Sequence, residues 1–146
     1  MMVFGASAVQ ANIEIYLNSD CSGTSAFSAA FDITYALGAD VTTPAGAKEI
    51  NTLGGHTLMT VHNDMIIGIY NAQKYCGLTW VRDVAQDITG KTCGTDNKIP
   101  DIGEARYSIY TVQGSKLLMG KSSTGFDGKT PATRHNTLET STLVKQ

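Results

Sequence analysis

Residues 105–121 constrain this chain more than any other stretch. Ala105–Val112 and Lys116–Lys121 flank Gly114-Ser115, and a glycine at the first central position suits the type II′ turn of a tight antiparallel hairpin. In that register Val112 opposes Leu117, Thr111 opposes Leu118, Tyr110 opposes Met119 and Ile109 opposes Gly120. Val112, Tyr110, Leu117 and Met119 then share one face, while Ile109, Tyr107 and Leu118 share the other. A sheet with one solvated face is apolar on one side only. Something therefore covers the second face of this hairpin: the rest of the fold, a ligand inside a barrel, or a second subunit.

Strand patterns recur along the rest of the chain. Val9, Ala11, Ile13, Ile15 and Leu17 alternate with polar residues, and Phe27, Phe31, Ile33, Tyr35 and Leu37 do the same after the turn-rich connector Asn18–Thr24. These read as an antiparallel pair, followed by a loop over Gly38–Gly46. Thr57–His62 and Met65–Tyr70 flank Asn63-Asp64, which predicts a second hairpin with Val61 facing Ile66 and Leu58 facing Ile69. Residues 78–84 and 87–92 form a weaker pair, 94–104 and 122–137 read as loops, and Leu138–Val144 reads as a short edge strand. The whole chain, 1–146, is read as a single all-β domain: an antiparallel meander barrel or strongly curved sheet of about seven to eight strands, with a β-sandwich as the alternative. Residues 1–8 are either the remnant of a signal peptide or the first strand.

Charge narrows the partners. Eleven Lys+Arg against thirteen Asp+Glu leave a formal charge of −2, so the chain lacks the basic field that a phosphate backbone requires, and nucleic acid is a poor partner. No stretch approaches the roughly 20 apolar residues of a membrane-spanning helix. Of the three cysteines, Cys76 and Cys93 are each followed by a glycine at a turn-like position, which predicts a Cys76–Cys93 disulfide and an extracytoplasmic location, periplasmic or secreted. Three buried thiols in a cytosolic protein is the competing reading. Cys21 is left over, and a lost upstream partner is one reading of it.

Motifs for chemistry are sparse. Gly90-Lys91-Thr92 ends like a phosphate-binding loop, but Ala85 stands where its first glycine belongs; Gly128-Lys129-Thr130 fails likewise at Ser123. His56 and His62 have the same parity, about 20 Å apart on one strand at roughly 3.3 Å per residue, so they cannot share a metal there. Arg134-His135 reads as an exposed polar pair. The pairs Asp83/Asp87 and Asp96/Asp101 are too thin an oxygen cluster for calcium. There is no Gly-x-Ser-x-Gly elbow to present a nucleophile. The expectation is no catalytic residue, no metal, no cofactor and no enzymatic activity.

The unit Tyr107-Ser108-Ile109-Tyr110-Thr111-Val112-Gln113-Gly114-Ser115-Lys116-Leu117-Leu118-Met119-Gly120, with Cys76-Gly77-Leu78-Thr79-Trp80 in support, resembles the closing meander of lipocalin-type (calycin) barrels in small secreted or periplasmic bacterial proteins. The resemblance implies an antiparallel β-barrel but carries over no functional residue. The first functional expectation is a non-enzymatic binding module whose interior or open end holds a small apolar molecule, with Tyr35, Tyr70, Trp80, Tyr110 and Met119 as its lining. The alternative is a structural or interaction protein of the cell envelope, acting as a homo-oligomer, a dimer first of all, with the doubly apolar hairpin as its interface.

Overall fold

The computed structural model describes residues 2–95, 97–140 and 143–144. Asp96, and the middle of the expected final strand, lie outside the described residues. Strands dominate and helix is scarce, 46% against 11%, which makes the chain all-β. It divides into two compact units, one of residues up to Ile33 with Gly54–Gly103, the other of Thr34–Leu53 with the chain from Glu104 onward. Strands β3 (Phe27–Asp40) and β4 (Lys48–Val61) give one half to each.

In the first unit β1 (Met2–Phe4), β2 (Ala8–Ile15), β3 and β4 neighbour one another in chain order, and β5 (Gln86–Asp87) pairs antiparallel with β4 through Leu58↔Asp87 and Met59↔Gln86. A small hairpin, β6 (Thr92–Cys93) with β7 (Asn97–Lys98), stands apart from that sheet. The core gathers Met59, Val61, Trp80, Ile88 and the Cys76–Cys93 disulfide, with Phe27, Ile66, Ile67, Tyr70, Tyr75, Leu78 and Ile99 packed around them. Trp80 is 1% exposed. Its indole N–H donates to the Tyr75 carbonyl at 3.0 Å, and Asn71 bonds both its backbone groups, so the buried polar edges of the ring and chain are satisfied. Tyr70 stacks on Tyr75 at 4.1 Å and meets Trp80 edge-on.

The expected hairpin at Asn63-Asp64 is instead the start of a helix, α1 (Asp64–Ala72). Asn63 is its N-cap, its side-chain oxygen accepting from the backbone N–H groups of Met65 (3.0 Å) and Ile66 (3.2 Å), while Asp64 places a negative charge in the first turn. Ile66, Ile67 and Tyr70 turn to the core, whereas Met65 and Ile69, one turn apart, stay exposed. The apolar run Met65–Tyr70 has no polar residue to distinguish a period of two from 3.6, and an Asx cap uses the same residue types as a tight turn. Residues 78–84, expected as a strand, follow an irregular path, and of their expected partner 87–92 the ends pair elsewhere, Asp87 with β4 and Thr92 with β7.

In the second unit β3, β4, β8 (Ala105–Gln113), β9 (Lys116–Lys121) and β10 (Thr137–Leu138) are successive neighbours, with β11 (Leu143–Val144) also on β9. The hairpin register is the expected one: Tyr110↔Met119, Thr111↔Leu118 and Val112↔Leu117, with Gly114 at φ 62 in its turn. Both faces are covered at one end, where Ser108 and Ile109 are buried, and open at the other, where Val112 is 62% exposed. Arg134 and His135 are not the exposed pair expected. Arg134 bonds the Asn51 amide oxygen at 2.8 Å and the Ser108 carbonyl at 2.9 Å, pairs with Glu49 at 3.3 Å, and lies over the Tyr107 ring. Glycines make room for His135: a Cβ on Gly120 would come within 2.8 Å of its Cβ, and one on Gly128 within 2.7 Å of its Nε2.

Candidate functional site

The first unit brings together a serine, a histidine and a carboxylate. Strand β4 ends at Val61, whose carbonyl accepts from the Asp83 N–H at 3.0 Å; the next residue, His62, donates its own N–H to the Ala26 carbonyl at 2.9 Å. These two bonds fix His62 between the start of β3 and the turn at 81–84. Ser28 lies two residues past Ala26 on β3. Its Oγ is 3.0 Å from His62 Nε2, and His62 Nδ1 is 2.7 Å from Asp83 Oδ1.

The remaining oxygen of Asp83 is 3.4 Å from Arg82 Nε, and Arg82 Nη1 donates to Asp64 Oδ2 at 2.8 Å. The hydrogen bond from His62 holds the Asp83 carboxyl below the usual carboxylate range, and the Arg82 charge adds to this. An ionised carboxylate only accepts, so the proton of neutral His62 sits on Nδ1, and the Nε2 lone pair faces the Ser28 hydroxyl. Asp83 itself is at φ 59, in the left-handed region that aspartate tolerates better than most residues.

His62 lines an open cleft of about 350 Å³ together with Thr24, Ser25, Asn63, Asp64, Met65 and Arg82. Among the described residues, the backbone N–H groups and hydroxyls of Thr24 and Ser25 have no intramolecular partner. A second cleft of about 310 Å³ lies along β2, β3 and β4, lined by Gln10, Asn12, Phe31, Asp32, His56 and Leu58 among others. There Asp32 accepts from the His56 backbone N–H at 2.8 Å, and His56 Nδ1 is 3.3 Å from Asp87 Oδ2. Gly55 allows that approach, since a Cβ there would lie 2.5 Å from the Asp32 carbonyl oxygen.

Of the residues expected to line a ligand cavity, Tyr70 and Trp80 belong to the first unit, where Trp80 is core. Tyr35, Tyr110 and Met119 belong to the second, where Tyr110 and Met119 are a cross-strand pair. None of the five lines either cleft. The Cys76–Cys93 disulfide is present, and Cys21 is a free, exposed thiol. No group of His, Cys, Asp or Glu among the described residues is arranged to hold a metal ion, and no helix among them is long and apolar enough to cross a membrane.

The sequence alone did not bring Ser28, His62 and Asp83 together. They are separated by 34 and 21 positions and share no local motif. No protein-family model matches the chain, and comparison with curated proteins finds no significant match.

Proposed function

We propose that this is an extracytoplasmic, lipocalin-like meander protein that binds a small molecule, with the His62 cleft as its working site. The observation that carries the reading is the cleft itself, lined by the polar residues Thr24, Ser25, His62 and Arg82 together with the exposed Met65. Its lining calls for a ligand that is polar at one end and apolar at the other. The disulfide inside the first core supports the location, because such bonds persist in oxidising compartments. Sheet neighbours that follow chain order within each unit support a meander over a Greek-key sandwich.

The second reading is a homo-oligomer. It is favoured by Ile13, Ile15 and Leu17, which continue the parity of buried Val9 and Ala11 yet stand exposed, and by β1 at the end of the strand order. Native mass spectrometry of the non-reduced chain separates the two. A monomer carrying extra mass that leaves on denaturation, and that is lost in Met65→Trp, supports binding at the cleft. A dimer without added mass supports the second reading and counts against the first.

A further inference from the structure

We infer that Ser28, His62 and Asp83 form a nucleophile, base and acid array that hydrolyses small, uncharged carboxylic esters entering by the cleft that His62, of the three, lines. The inference rests on that cleft being the working site and goes beyond binding. Its warrant is the order of the contacts. A serine hydroxyl meets the Nε2 of an imidazole whose Nδ1 is bonded to an ionised carboxylate, with both distances within hydrogen-bond reach.

The other histidines lack one part of this set. His135 places Nδ1 3.0 Å from Ser108 Oγ and Nε2 3.2 Å from Ser122 Oγ, so hydroxyls occupy both nitrogens and, among the described residues, no carboxylate fixes the tautomer. His56 has Asp87 on its Nδ1 but, among the described residues, no hydroxyl on Nε2. Only at His62 does one neutral tautomer satisfy both bonds and leave Nε2 able to take a proton from serine. Asp83 is oriented in turn by Arg82 and by its own N–H on Val61, so the carboxylate is held from two sides.

The chemistry then balances without a further reagent. Ser28 Oγ attacks the ester carbonyl carbon while His62 Nε2 takes the hydroxyl proton, and the imidazolium is stabilised by Asp83. Collapse breaks the bond from acyl carbon to alkoxy oxygen, and the Nε2 proton leaves with the alcohol. A water molecule, deprotonated by His62, attacks the acyl-serine; the carbon–Oγ bond breaks, the proton returns to Ser28, and a carboxylic acid is released. Thr24 and Ser25, whose N–H and hydroxyl groups have no partner among the described residues, line the cleft beside His62 and are the groups the inference assigns to the oxygen on which charge develops. Arg82 is already held by Asp64 and Asp83, which disfavours an anionic substrate, and a cleft of about 350 Å³ beside Met65 fits a short acyl group.

The test uses the full chain with its disulfide intact, an alkyl fluorophosphonate as covalent probe and p-nitrophenyl acetate as reporter ester. The expected result is one adduct per chain, mapped to Ser28, and saturable ester hydrolysis. Ser28→Ala should abolish the adduct and lower kcat/KM by at least about 100-fold, Asp83→Asn should lower kcat with little change in KM, and Ser122→Ala should leave both readouts unchanged. Circular dichroism confirms that each variant is folded; should Asp83→Asn unfold, the Ser28→Ala comparison decides alone. An adduct on another serine, or hydrolysis equally fast in Ser28→Ala, overturns the inference. Absence of any adduct also overturns it, and a cleft that still retains a small molecule then leaves the binding reading standing.

Discussion

Reduction of the Cys76–Cys93 bond should destabilise the first unit by about 3 kcal/mol. The two cysteines are 17 positions apart, and closing a loop of that length in the unfolded chain removes roughly that much conformational entropy at 25 °C in the chain-entropy treatment. Both sulfurs lie in the core with Met59, Val61 and Trp80, so the reduced thiols remain buried as small apolar groups and the change is confined largely to the cross-link. Trp80 is the only tryptophan and belongs to that core, which makes its fluorescence a reporter of this unit. With a urea dependence of about 2 kcal/mol per molar, the midpoint should fall by roughly 1.5 M on reduction. A Cys76→Ala, Cys93→Ala variant should show at least the same loss and no response to reductant. A shift below about 0.3 M on reduction would refute the claim that this bond holds the first core together.

Asn63→Ala should cost about 1 kcal/mol by leaving the Met65 and Ile66 N–H groups uncapped, read as a lower denaturation midpoint. Gly128→Ala should destabilise by more than about 1 kcal/mol, because φ is +70 there and the new Cβ would lie 2.9 Å from the Tyr107 carbonyl oxygen; thermal denaturation reads it. Asp83, Asp87 and Asp127 have carboxyls held below the ordinary 3.8, by hydrogen bonds chiefly from His62, Thr89 and Lys129 respectively. Their folded values lie below their unfolded ones, so their contribution is fully present above the unfolded value and is lost as pH falls through the folded values. Melting temperature should drop on acidification below about pH 4, and the drop should flatten in a Asp83→Asn, Asp87→Asn, Asp127→Asn variant.

Where side chains alternate over many residues, the fold was readable in advance. The Gly114-Ser115 hairpin keeps its register because only one pairing suits the turn, with Gly114 at positive φ. Cys76 and Cys93 were legible for a local reason too, each standing at a turn before glycine. Helix α1 was not, since six largely apolar residues after an Asx pair fit a strand as well as a helix until Ile66, Ile67 and Tyr70 find the core. Arg134 and His135 illustrate a second limit. Their burial depends on Glu49, Asn51 and Ser108, far away in sequence, and on the space left by Gly120 and Gly128. The candidate site is the extreme case: its three side chains come from a strand, a strand–helix junction and a turn, and tertiary structure alone makes them neighbours.

The most direct measurement is the tautomer of His62, read from long-range proton–nitrogen NMR correlations of the imidazole at neutral pH. The Ser28–His62–Asp83 array requires the neutral ring to carry its proton on Nδ1, and Asp83→Asn should disturb that ring's signals while Ser122→Ala leaves them alone. A His62 ring protonated on Nε2, or one indifferent to Asp83→Asn, would contradict the account.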